Sequence, residues 1–186
     1  WREDAGRPSG RHYALDDICF TYVPSARALQ ECREIASRCS ADSLLAVDNP
    51  DGSLVFSEDE VRAACAGFEQ PTRLAGRAAS RDAVLAGLST HTVFHLSTHG
   101  VAGWAEALNS RLLLADGDLT LAELLDMHLP GARLAILSAC ETGIPGTRQI
   151  NEVISLAAGW VQAGVAGFAA SLWSVPGIST AMLLAR

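Results

Sequence analysis

Two residues with nucleophilic or basic side chains stand at the ends of two apolar runs in the sequence. His99 directly follows HTVFHLST and precedes Gly100, and Cys140 ends the run RLAILSAC. A thiol beside an imidazole is a strong nucleophile at neutral pH, because the imidazole takes up the thiol proton. The backbone N–H groups of Gly100 and Cys140 could then stabilise an oxyanion. The pair therefore suggests covalent catalysis, provided that the fold brings the two residues together.

The elements predicted around these residues alternate between helices and buried strands. Apolar periodicity and capping residues predict helices in SARALQECREIASRC, SEDEVRAACAGF, RDAVLAGL, LAELLDM and EVISLAAGWVQA. Capping boxes are expected at Ser57–Glu60 and Thr120–Glu123. Strands are predicted in ICFTYV, LLAV, HTVFHLST, RLAILSAC and VAGFAASLW, and a hairpin in LLLADGDL. The pattern indicates an α/β fold with a mostly parallel central sheet and helices on both faces.

In a sheet of this kind, functional groups gather beyond the carboxyl ends of the strands. If the strands before His99 and Cys140 are neighbours, the imidazole and the thiol meet at this edge. Each residue also has an ordinary structural interpretation. A lone cysteine after an apolar strand is usually a small buried hydrophobe, and a lone histidine at a strand end is usually a hydrogen-bonded surface group.

The remaining histidine and cysteine patterns indicate structural roles. His95 and His99 have a spacing that would suit zinc on a helix, but they lie on a strand with no evident third ligand. We therefore expect His95 to be a core histidine, and we predict no metal and no cofactor. The other cysteines are expected in the core: Cys19, Cys32, Cys39 and Cys65.

Composition narrows the function classes. The 186 residues have a formal net charge of −7, which argues against nucleic acid as a direct partner. No apolar run reaches the roughly 20 residues of a membrane-spanning helix, so no membrane association is expected. Five cysteines without paired spacing suggest reduced thiols in the cytoplasm. The polar residues 1–10 are interpreted as a tail or linker.

Four sequence segments together resemble one known family. HLSTHG at 95–100, LSACETG at 137–143, the Asn-Glu pair at 151–152 and AASLWSV at 169–175 resemble the CHAT family of caspase-like cysteine peptidases. The resemblance implies a caspase-like fold over 11–186, truncated at its C-terminal end. It also implies a cysteine endopeptidase with His99 as general base, Cys140 as nucleophile, and Gly100 and Cys140 as oxyanion donors. Family members are commonly fused to helical repeats such as tetratricopeptide repeats, or to other sensor modules, so a regulatory partner of this kind is expected.

The substrate is expected to be a protein or peptide bound in an extended conformation along a strand edge. Glu141 or Glu152 could help to form an acidic specificity pocket for a basic side chain. The ordinary interpretations are favoured, namely simple solvation for Glu141 and a helix N-terminal position for Glu152. Trp173 is either a core aromatic or a wall of the substrate cleft, and the resemblance favours the cleft.

The loops that follow His99 and Cys140 bear on whether the isolated domain is active. The loops 100–111 and 141–150 contain few large apolar residues, so we expect them to be mobile and the isolated domain to be largely latent until a partner orders them.

The main alternative function is a catalytically silent caspase-like module for binding or signalling. A nucleotide-binding α/β domain is a weaker alternative, because no Gly-rich phosphate loop follows any predicted strand.

Overall fold

A computed structural model describes residues 2–23, 25–103, 106–138, 156–171 and 175–184 of the chain. Within these ranges the helices are α1 (Ala26–Arg38), α2 (Ser57–Cys65), α3 (Arg81–Leu88), α4 (Leu121–Asp126), α5 (Leu156–Gln162) and α6 (Gly177–Leu184). The strands are β1 (Arg2–Glu3), β2 (Arg11–His12), β3 (Leu44–Asp48), β4 (Thr72–Ala75), β5 (Val93–Ser97), β6 (Gly100–Val101), β7 (Arg111–Leu113), β8 (Asp118–Thr120), β9 (Leu134–Ser138) and β10 (Phe168–Ala170).

The central sheet has five strands in the order β10-β9-β5-β3-β4, and every pair in it is parallel. The middle strand β5 lies between β3 and β9. Ser97 at the end of β5 is in register with Asp48 of β3 and Ser138 of β9, so the three strands end level with one another. The predicted α/β class with a mostly parallel sheet is confirmed.

Helices cover both faces of this sheet because alternate residues of its buried strands point in opposite directions. On β3, Leu45 and Val47 belong to a large core cluster that includes residues of α3, α4 and α5. Leu44 and Ala46 belong to a smaller cluster on the other face, with Val61 of α2. The large cluster contains the fully buried Trp160, whose ring centroid lies 5.8 Å from that of Phe94.

A second, antiparallel sheet follows His99 in the chain. Strands β6, β7 and β8 lie in that order, and β7 and β8 form the hairpin predicted in LLLADGDL. The predicted capping box at the start of α4 is also present, because the Thr120 side chain accepts a hydrogen bond from the Glu123 N–H, and the Thr120 N–H donates to Glu123. The expected loop 100–111 thus begins and ends in paired strand residues, with Gly100 opposite Leu112.

Several expectations from the sequence were wrong. The run ICFTYV at 18–23 is not a strand, and its large side chains Ile18, Phe20 and Tyr22 are exposed, so β propensity alone did not produce pairing. Cys19 is exposed rather than in the core, while Cys32 is buried and Cys39 and Cys65 are partly exposed.

Other elements were not anticipated. The edge strand β4 and the helix α6 had no corresponding prediction, and residues 2–12, most of which were assigned to the tail, contain the short antiparallel pair β1–β2. Ser57 is the first residue of α2 rather than its cap, and its hydroxyl donates to Asp48 instead. Among the described residues, no helix combines the length and apolar character required to cross a membrane.

Candidate active site

The candidate site lies at the carboxyl edge of the central sheet, where β5 and β9 end side by side. His99 and Gly100 follow β5, and Gly100 is the first residue of β6. Cys140 is two positions beyond Ser138, the last residue of β9, and lies outside the described residues, as do Glu141, Glu152 and Trp173. The described strands nevertheless confirm that the runs preceding His99 and Cys140 are neighbours.

The backbone around His99 is fixed by β7. The Leu113 N–H donates to the His99 carbonyl oxygen at 2.9 Å, and the Thr98 hydroxyl donates to the Leu113 carbonyl oxygen. Thr98 is buried, whereas the side chain of His99 is 39% exposed. The imidazole is therefore carried on a rigid support but remains accessible from solvent.

The His99 ring contacts two side chains of the loop that follows β3. Its Nε2 lies 2.6 Å from the Ser53 hydroxyl and 3.7 Å from the Asp51 carboxylate. The Ser53 Oγ in turn lies 2.9 and 3.0 Å from the two carboxylate oxygens of Asp51. Partial burial would raise the pKa of the Asp51 carboxyl, but hydrogen bonds from the Ser53 backbone and hydroxyl, together with nearby His99, lower it below its ordinary value.

Asn49 clamps this loop. Its side-chain amide donates to the Leu54 carbonyl oxygen at 3.1 Å, and its side-chain oxygen accepts from the Leu54 N–H at 2.9 Å. Its backbone N–H donates to the carbonyl oxygen of Ser97, the last residue of β5, at 2.9 Å. Asn49 has a φ of 49°, a left-handed conformation that asparagine tolerates better than most residues. The loop is thus held to the strand that carries His99.

A buried polar network lies beneath the same edge. Glu60 of α2 accepts a hydrogen bond from His95 Nε2 at 2.6 Å and another from the Ser138 hydroxyl at 2.9 Å. Glu60 and His95 are only 3% and 1% exposed. His95 is therefore a core histidine, as expected, and its Nδ1 has no hydrogen-bond partner in the described structure. The network ties α2 to β5 and to the end of β9.

A cavity of about 600 Å³ opens beside His99. Its walls are largely apolar, and Glu60 is the one carboxyl group among the described residues that line it. The residues that line it are Leu54, Val55, Phe56, Ser57, Glu60, Ser97, Thr98, His99, Ile136, Leu137, Ser138, Ala169, Ala170, Ser171, Val175, Gly177, Ser179, Thr180, Leu183 and Leu184. Such a cavity is suited to a side chain with a long apolar stem.

The described residues contain no group of three or more His, Cys, Asp or Glu side chains that could hold a metal ion. The four described cysteines are free thiols. Burial raises the pKa of Cys32 and of Cys65, which makes these thiols poor nucleophiles at neutral pH.

A helix-flanked parallel sheet with a histidine just beyond its central strand is the architecture of a caspase-like domain. The model of the CHAT domain matches residues 2–186, almost the entire chain. The chain therefore belongs to the caspase-like CHAT family. No curated protein matches its sequence.

Three contributors to this site were not identified from the sequence. Asp51 and Ser53 were not singled out, and Glu60 was expected only as part of a capping box. One available signal was that the loop 49–54 follows a strand of the same parallel sheet, so it must open at the same edge as His99. No comparable signal marks Glu60, because its partners are distant in the sequence.

Proposed function

We propose that the chain is a cysteine endopeptidase in which Cys140 is the nucleophile and His99 is the general base. Membership of the caspase-like CHAT family supports the reaction class. The observation that carries the proposal is the position of His99, an accessible imidazole at the end of β5, beside the strand that leads into Cys140. Acyl transfer requires a base within reach of the nucleophile, and adjacent strand ends can bring the two side chains together.

In the proposed reaction, the Cys140 sulfur attacks the peptide carbonyl carbon while the thiol proton passes to His99. The backbone N–H groups of Gly100 and Cys140 donate to the resulting oxyanion. Cleavage of the C–N bond transfers the proton from His99 to the leaving amine and leaves a thioester on Cys140. His99 then deprotonates a water molecule, whose attack releases the carboxylic acid and restores the thiol.

The proposed substrate is an extended segment of a protein or peptide, one side chain of which enters the cavity beside His99. The largely apolar walls suit the aliphatic stem of a basic side chain, and Glu141 and Glu152 are proposed to supply the negative charge for its basic end. Trp173 is proposed as a wall of the cleft. Exposed Val55 and Leu183 line the cavity as well, and exposed apolar side chains of this kind are typical of binding surfaces.

This proposal is tested first by the reactivity of Cys140. A peptidyl chloromethyl ketone with lysine or arginine next to the reactive group should label Cys140 at least about tenfold faster than exposed Cys19, because His99 is the proposed base for Cys140. Mass spectrometry of the labelled peptides measures both rates in one sample. Equal labelling of Cys140 and Cys19, with no cleavage of any member of a peptide panel, would instead indicate a silent binding module.

We also propose that a helical-repeat or other sensor module regulates the peptidase, in a reducing compartment such as the cytoplasm. Family members commonly carry such modules, and a partner that binds the active conformation more tightly would shift the population towards it. The expected result is a kcat/KM that rises several-fold or more when the partner module is added. Full activity of the chain alone, unchanged by any partner, would contradict this part of the proposal.

A further inference from the structure

The carboxylate of Asp51 determines which side chain donates the hydrogen bond between His99 and Ser53. The pKa of Asp51 is lowered, so at neutral pH this residue is ionised and can only accept hydrogen bonds. The Ser53 hydroxyl has one proton and lies 2.9 and 3.0 Å from the carboxylate oxygens, so it donates to Asp51. Its oxygen then accepts from His99 Nε2 at 2.6 Å. This arrangement requires the proton of a neutral His99 to be on Nε2.

The tautomer decides which nitrogen can act as a base. With Nε2 protonated and occupied by Ser53, the lone pair of a neutral imidazole is on Nδ1. When the ring becomes an imidazolium, Nε2 keeps its hydrogen bond to Ser53, and the negative charge of Asp51 lies 3.7 Å away. Ser53 and Asp51 can therefore stabilise both the neutral imidazole and the imidazolium of His99.

The loop that supplies these side chains is preorganised. Asn49 closes it through two hydrogen bonds to Leu54 and ties it to Ser97, two residues before His99. Asp51 also accepts from the Ser53 N–H at 3.1 Å, so the aspartate and the serine are held relative to each other. Because the loop and the histidine are anchored to the same strand end, the contact does not depend on a distant element.

We infer that Ser53 and Asp51 are positioning residues that hold His99 with its proton on Nε2, so that Nδ1 receives the proton of the Cys140 thiol. The inference rests on the proposed function, because it concerns the base of that reaction. In the step concerned, the S–H bond breaks, its proton passes to Nδ1, and the Nε2 proton remains shared with Ser53. Ser53 and Asp51 exchange no proton with the substrate.

The test compares Ser53→Ala and Asp51→Asn with Ser53→Thr, which keeps the hydroxyl. Three quantities are measured in the full-length protein: the rate of Cys140 alkylation by iodoacetamide at pH 7, and kcat and KM for a cleaved peptide. Ser53→Ala and Asp51→Asn should each lower kcat roughly tenfold to a hundredfold. This loss is part of the ~100- to 10,000-fold rate increase that a positioned base contributes. KM and the thermal unfolding temperature should stay unchanged, and Cys140 alkylation should slow in parallel. Ser53→Thr should remain close to the parent protein in every measurement.

Matched controls lie on the exposed surface. Ser37→Ala removes an exposed hydroxyl on α1, and Asp82→Asn removes a carboxylate that is 99% exposed on α3, and neither should change kcat or alkylation. Parent-like kcat and alkylation in both Ser53→Ala and Asp51→Asn, while His99→Ala is inactive, would overturn the inference and leave the peptidase intact. If the parent protein cleaves no peptide but Ser53→Ala still slows Cys140 alkylation, the positioning role stands and the proposed function fails. Cys140 alkylation no faster than that of Cys19 in the parent protein would overturn both.

Discussion

Cys140→Ala and His99→Ala are each expected to lower kcat/KM for a cleaved peptide by at least about a thousandfold, because a thiol and its base act as one unit. Combining the two substitutions should cost little more than either alone, since the second removes a group that no longer has a function. The measurement is the initial rate of peptide cleavage, with the protein concentration determined independently. Unfolding temperatures should be close to that of the parent protein for His99→Ala, because the His99 side chain is substantially exposed.

The appropriate control is His128→Ala, which removes an exposed imidazole in the segment that follows α4. It should retain full activity. If His99→Ala cleaves peptide at a rate within a few-fold of the parent protein, His99 is not the base, and the reaction must use another group. Loss of activity in His128→Ala to the same extent would indicate that the assay reports general damage rather than chemistry.

The placement of His99 was predictable because it depends on short-range patterns. A buried strand is a run of apolar residues, and in a parallel sheet the residue after the run must emerge at the functional edge. The same reasoning predicted β3 and β9, the strands on either side of β5, and the hairpin β7–β8. Each of these elements is specified by residues that are close together in the sequence.

The elements that were missed lack such a local pattern. The edge strand β4 reads TRLA, with two polar residues and alternating partial exposure, and it is a strand because it pairs with β3. The helix α6 begins at Gly177, directly after Pro176, in a segment for which no element was predicted. Conversely, residues 18–23 have high β propensity but no strand assignment, because propensity without a partner does not form a sheet.

The polar contacts of the site were the least predictable part, since each joins distant segments. Ser53 reaches His99 from the loop after β3, and Glu60 reaches Ser138 from the first turn of α2. Ser57 and Glu60 have the spacing of a capping box, yet their side chains bond to Asp48, His95 and Ser138. Ser57 and Glu60 bond to these groups instead of capping the helix, because an unpaired polar group costs more free energy when it is buried than at an exposed helix end.

Glu60→Ala is expected to lower the free energy of unfolding by about 3 kcal/mol, because it leaves buried groups of two strands without their acceptor. His95 Nε2 and the Ser138 hydroxyl both donate to Glu60, and His95 is 1% exposed, so water cannot readily replace the lost bonds. Glu60→Gln should cost no more than about 1 kcal/mol, since its amide oxygen can accept from His95 and its NH₂ can donate to the Ser138 oxygen. Urea denaturation followed by circular dichroism measures the differences.

The comparison between the two variants identifies the cause. If Glu60→Ala and Glu60→Gln were equally destabilised, the charge of Glu60 rather than its hydrogen bonds would stabilise the fold. If neither were destabilised, the network would not contribute, and the connection between α2 and the end of β9 would depend on apolar packing alone. Because Ser138 is two residues before Cys140 in the sequence, Glu60→Ala should also disturb the strand end that precedes the proposed nucleophile. Peptide cleavage should therefore fall with stability in Glu60→Ala but remain measurable in Glu60→Gln.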